Sequence, residues 1–237
     1  MASNPPHPQS PVRPWHFGAF LGSLLVGLLG GLLFIVILWL LTLFTPLGEA
    51  LAVYGDKTAW YLTRATGTVA YLLLSASTIW GLLLSTRLIK EAVPAPLTLA
   101  MHNVLSWLAV GMAGFHGFIL LFDSYYTYQL RDLVVPFMGP YRPGWVGLGV
   151  LGSYLILLTS VSFSFRKQLG QRRWRQLHYL TFVAYGLVTL HGLMAGTDSV
   201  DPGMRLVYLG SSALIIFLTL FRILAAVDQS EGRRARP

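Results

Sequence analysis

The 237-residue chain has no cysteine, nine acidic residues and only 11% charged side chains. Without cysteine there is no disulfide framework, no thiolate-held zinc and no iron–sulfur cluster. Globular domains average about 25% charged residues, so the shortage of charge excludes an ordinary soluble domain. Disorder is excluded too, because it requires low hydrophobicity and 54% of this chain is apolar. The apolar residues do not alternate with polar ones, which excludes a membrane barrel. They come instead in long runs, and the chain reads as an all-α integral membrane protein.

A spanning helix needs about 20 mostly apolar residues, since each adds about 1.5 Å across a core about 30 Å thick. Six runs qualify: Phe17–Phe44, Gly67–Leu84, Leu99–Phe122, Trp145–Phe165, Leu177–Met194 and Leu206–Leu224. Proline and glycine punctuate the loops, at Pro94 and Pro96, at Pro136, Pro140 and Pro143, and at Pro202 with Gly203. Residues 1–16 hold five prolines and read as an extended tail, 17–226 as a six-helix bundle, and 227–237 as a basic tail. The first run is longer than the apolar part of a secretory signal peptide.

Cations set the orientation. With both termini in the cytoplasm, twelve of the seventeen Lys and Arg fall inside and six of the nine acids outside, a split of +9 against −1. The net charge of +8 thus follows a membrane and not nucleic acid. A multi-pass protein of the inner (plasma) membrane is expected.

Four of the six histidines lie in or at the ends of two runs: His102 and His116 on the third, His178 and His191 on the fifth. An intramembrane histidine can serve as an interhelical hydrogen bond, but ionisable groups in a bilayer are costly and suggest function. The separations are 14 and 13 residues, about 20 Å of helix. Both runs are odd-numbered and therefore parallel. His102 meets His178 at one depth, nearer the cytoplasm, and His116 meets His191 at another. A porphyrin iron takes two axial imidazoles, so each pair could hold a b-type haem. Fourteen steps of about 100° return almost to the same helix face, whereas thirteen fall about 140° short. The fifth span therefore needs a local irregularity, curvature or differently rotated cofactors. Gly111, Gly114 and Gly117 near His116, and Gly186 and Gly192 near His191, either make room for a macrocycle or pack helices tightly.

The frame His102-x3-Ser106-Trp107-x8-His116 and His178-x12-His191-Gly192, with the stretches His102-Asn103-Val104-Leu105-Ser106-Trp107 and Trp174-Arg175-Gln176-Leu177-His178, resembles the ferric reductase-like transmembrane domain. That family includes NADPH oxidases, ferric reductases and, as a relative, the haem-binding membrane subunit of methionine-sulfoxide reductase. The resemblance covers roughly residues 61–224. It implies two haem b groups ligated by His102, His116, His178 and His191, with Arg64 beside the outer one. Two departures qualify it. The oxidases have a further histidine four residues after the outer ligand of the third span, where this chain has Leu120, so superoxide production is not implied. Thirteen residues follow Leu224, too few for a flavin and nicotinamide domain. Electrons are then expected from a separate cytoplasmic flavoprotein reductase or from membrane quinol.

The function expected is an oxidoreductase component: electron transfer from such a donor to an outer acceptor, with ferric iron leading. One alternative is a membrane subunit serving a periplasmic reductase, although His102 favours two haems over that subunit's pattern. Another, from a different class, is a proton or ion transporter lined by histidines. Tyr125, Tyr126 and Tyr128 read as interface anchors. Trp107 reads as core packing or an electron relay, and Asp198 with Asp201 as a solvated turn. Arg64 could pair with a haem propionate or snorkel to the interface.

Overall fold

A computed structural model describes residues 57–86 and 94–234. Every regular element among them is helical: α1 (Thr58–Thr86), α2 (Ala95–Ile119), α3 (Leu130–Val134), α4 (Pro143–Ser162), α5 (Arg166–Leu169), α6 (Gln171–His178), α7 (Leu180–Ala195) and α8 (Pro202–Arg234). Five stretches are long and apolar enough to cross a membrane: Thr58–Thr86, Pro96–Phe122, Pro143–Leu169, Gln171–Ala195 and Pro202–Val227. They take in the second to sixth expected spans. The expected span Phe17–Phe44 and the proline-rich segment 1–16 lie outside the described residues.

Proline opens three of these helices because the first helical N–H groups have no partner to lose. Pro96 lies in the first turn of α2, where the Thr98 hydroxyl donates to the Pro94 carbonyl at 2.8 Å. Pro143 starts α4 and Pro202 starts α8. At α8 the Asp201 carboxylate accepts the Met204 N–H at 3.0 Å, an N-cap. Asp201 is therefore a helix cap and not just a solvated turn residue.

Helix limits differ from the hydropathy runs in informative places. α1 starts nine residues before Gly67 and carries Arg64 within the helix. The cation is accommodated because its guanidinium pairs with Asp198 and lies 4.1 Å from the Trp60 ring centre. α8 continues to Arg234, so the backbone of 227–234, read from sequence as tail, is helical.

α1 packs along α2, α4 along α7, and α8 against α1, while α2 also meets α4. The centre holds Leu74, Leu82, Ala109, Ile156, Ala184, Ile215 and Leu218. It also holds a hydroxyl cluster. Tyr71 Oη lies 2.7 Å from Tyr185 Oη and 2.8 Å from Ser211 Oγ, and Tyr185 donates to Ser211 at 2.9 Å. Buried polar groups must find partners, and here three helices supply one another's. Large apolar side chains such as Val104, Leu108, Phe118, Leu209 and Phe217 point outward. An apolar periphery of this extent suits hydrocarbon and not water.

Candidate functional site

Two pairs of imidazoles face each other inside this bundle. The ring centres of His102 and His178 are 6.1 Å apart, with planes at 83°. Those of His116 and His191 are 6.2 Å apart, with planes at 75°. This pairing makes α2 parallel to the α6–α7 span and separates the two levels by about 20 Å of helix. A metal held between two imidazole nitrogens at about 2 Å from each would put the ring centres about 6 Å apart. Both pairs have that separation without any adjustment.

The helices behind the histidines aim them. His116 Nδ1 lies 2.8 Å from the Thr63 carbonyl, and His102 Nδ1 lies 3.0 Å from that of Ser77. His191 Nδ1 lies 3.0 Å from the Trp145 carbonyl. A carbonyl can only accept, so each of these rings carries its proton on Nδ1 and keeps a lone pair on Nε2. That is the form in which histidine binds a metal, and such an outer hydrogen bond regularly fixes a ligand's orientation. At the His102 level the Ser106 hydroxyl donates to the His102 carbonyl at 2.8 Å, leaving the Ser77 hydroxyl to donate to Ser106 at 2.8 Å.

Each of the three carbonyls stands four residues before a glycine: Thr63 and Gly67, Ser77 and Gly81, Trp145 and Gly149. A Cβ on Gly67 would come within 2.9 Å of His116 Cε1, and one on Gly81 within 3.0 Å of His102 Cε1. On Gly149 it would come within 2.8 Å of His191 Nδ1. Glycine is therefore needed at these points for the rings to lie flat against the opposing helix. By contrast, a Cβ on Gly111, Gly114, Gly117 or Gly186 would meet nothing within 4 Å. The glycines that admit the rings lie on α1 and α4, not beside the histidines.

His178 differs from the other three. Its Nδ1 is enclosed without a hydrogen-bond partner, and its ring stacks on Trp174 at 5.1 Å and 21°. The span breaks just after it. Tyr179 has φ −64° and ψ −17°, and its N–H reaches the carbonyls of Arg175 and Gln176, while Phe182 N–H reaches Tyr179. Bonds to the third residue back wind the chain at about 120° per residue in place of 100°. Each such step adds about 20°, so the overwinding makes up part of the rotation that thirteen regular steps lack, and His178 and His191 each face a histidine of α2.

A cavity of about 340 Å³ adjoins His102 and His178, lined also by Ser106, Trp174 and Arg222. Another of about 640 Å³ adjoins His116 and His191. Arg64, Asp198, Tyr128 and Tyr71 line the second. Arg64 is thus at the expected level, with its guanidinium engaged by Asp198. Tyr128 is 7% exposed. It is a wall residue and not an interface anchor; burial, then Asp123, push its phenol up to about 12. Trp107 is 45% exposed, so it does not fill the core.

The donor set suits a tetrapyrrole iron. Among the described residues no three His, Cys, Asp or Glu side chains gather, whereas a protein-held zinc needs three or four such ligands. Two opposed imidazoles could serve as the protein's two ligands to an iron held otherwise by a macrocycle. Sequence reasoning missed Gly67, Gly81, Gly149 and the carbonyls of Thr63, Ser77 and Trp145. One signal was present: Gly67 and Gly81 are separated by 14 residues, the same as His102 and His116. Comparison of the chain with protein families, curated proteins and solved structures finds no match.

Proposed function

We propose that the protein is a transmembrane electron-transfer component of the ferric reductase-like type, binding one haem b at each histidine pair. Its six spans place both termini in the cytoplasm. Electrons pass from a cytoplasmic flavoprotein or membrane quinol, by way of the His102–His178 level and then the His116–His191 level, to an acceptor outside, with ferric iron as the leading candidate. The observation that carries this reading is the double imidazole pair, each with ring centres about 6 Å apart, three of the four rings with Nδ1 against a carbonyl. Bound haem supplies a one-electron Fe(III)/Fe(II) couple at each level. The chain's own residues hold the imidazoles in the ligating tautomer, open space with glycine, and exclude water with Leu74, Ile156 and Ala184 between the levels. A proton-relay reading fits less well, because Nδ1 of three rings is occupied by carbonyls and cannot hand a proton onward.

Haem extracted from the purified full chain should approach two per polypeptide. In sealed vesicles, dithionite trapped on the cytoplasmic side should then reduce an impermeant ferric chelate outside, one electron per Fe(III). Protein without haem would end the reading. Vesicles with full haem content that reduce no more chelate than protein-free vesicles would end the electron-transfer role.

A further inference from the structure

Building on the haem reading, we propose that His178 is an exchangeable ligand: the His102–His178 level opens to small exogenous ligands while the His116–His191 level stays closed, and Trp174 is the positioning residue that holds His178 in place.

The argument starts from the missing carbonyl. His102, His116 and His191 each have Nδ1 within 3.0 Å of a backbone oxygen, whereas His178 Nδ1 is enclosed with no partner. The antiparallel register of α4 and α7 shows why. Gly149 faces His191, and fourteen residues further on, the spacing that separates Gly67 from Gly81, the chain has Phe163, which lines the cavity at His178. A side chain stands where the other three sites have glycine. α4 also ends here, passing into a 3₁₀ turn at Phe163–Phe165.

What holds His178 in place is an aromatic face. Trp174 lies one helical turn earlier on α6, stacked at 5.1 Å, and Phe163 meets the indole at 6.0 Å, edge-on. The indole Nε1 is itself enclosed without a partner, so no directional bond anchors the stack. Stacking resists tilting of the imidazole but does not decide which nitrogen carries the proton. At the other three rings the carbonyl makes that choice. Loss of an outer hydrogen bond of this kind weakens metal binding by about 10–100-fold. His178 is therefore the weakest of the four ligands, and when it swings off it would free the position that the incoming ligand takes.

The test uses the purified full chain carrying its haem, reduced with dithionite and exposed to carbon monoxide. Half of the haem should bind carbon monoxide. The double variant His116→Ala/His191→Ala should retain this uptake, and His102→Ala/His178→Ala should lose it. With all four histidines present, Trp174→Leu should speed uptake about tenfold while Trp174→Phe stays within about twofold, since an aromatic contact is replaced by an aromatic contact. The half-stoichiometry on the unaltered chain requires no variant to fold. A haem count near two with uptake at neither level, at both, or at His116–His191 alone overturns this proposal and leaves the haem reading standing. An unchanged rate in Trp174→Leu overturns the role of the indole. A haem count of zero brings down both.

Discussion

Replacing Gly149 with alanine separates the stability of the bundle from the integrity of its site. The new Cβ would lie 2.8 Å from His191 Nδ1 and 2.9 Å from Cγ and Cε1. Ordinary contacts begin near 3.5 Å, so the ring must retreat by about 0.7 Å, away from a helix whose Trp145 carbonyl now lies 3.0 Å from Nδ1. The hydrogen bond is lost or stretched, at about 0.5–1.5 kcal/mol. Alanine in mid-helix returns about 1 kcal/mol over glycine. Folding is left nearly neutral, but the ligand loses its aim, and haem should leave the His116–His191 level about 10–100-fold faster. The reference is Gly186→Ala on α7, where a Cβ meets nothing within 4 Å. It gains the same helix propensity and should hold both haems. The assay is transfer of haem to an excess of a tight scavenger, followed by absorbance, with thermal unfolding of each variant measured alongside. If Gly149→Ala keeps both haems as long as Gly186→Ala does, the idea that glycine sets the ring position is refuted.

Gly170, at φ 76° and ψ 150°, occupies a region open essentially to glycine alone, and it launches the short helix that carries Trp174 and His178. Gly170→Ala should lower stability by about 1–3 kcal/mol in thermal unfolding and should empty the His102–His178 level before the other. Tyr128 keeps its proton to about pH 12, against an ordinary value near 10. Because the folded value is the higher one, its contribution to stability is complete below pH 10 and is lost as pH rises through 12. An ultraviolet titration of the protein minus that of Tyr128→Phe should show one phenol ionising late, and ionisation near 10 would count against a buried wall position.

The second to sixth spans and the pairing of the histidines were legible because both rest on side chains and spacing. Twenty apolar residues declare a helix in a bilayer, and separations of 14 and 13 place His102 with His116 and His178 with His191 at two depths. The other half of each site was hidden for a physical reason. Its hydrogen bonds come from backbone carbonyls, which every residue possesses, so Thr63, Ser77 and Trp145 have no distinguishing mark in the chain. The phase deficit of the fifth span signalled an irregularity but not its position; that depends on the Tyr179 break, where α4 ends and Phe163 meets Trp174. Tyr128 was misread because an aromatic cluster after an apolar run looks the same whether it lies on lipid headgroups or under a loop. The deep hydroxyl cluster was also unseen, since Tyr71, Tyr185 and Ser211 lie far apart in sequence and meet only when α1, α7 and α8 pack.

That cluster has a consequence for how the bundle finds a single arrangement. Lipid tails are as apolar as leucine, so nothing in the solvent tells one azimuth of a membrane helix from another. Tyr71, Tyr185 and Ser211 can satisfy one another only when three helices are turned to a common angle. They act as the wards of a lock. Each bond is worth only about 0.6 kcal/mol in such settings, yet a rotation that breaks them takes both phenols from Ser211, which keeps its own bond to the Val207 carbonyl. The same angle that closes this lock on α7 turns His191 toward His116, so an otherwise indifferent solvent ends up enclosing a bundle with one defined rotation.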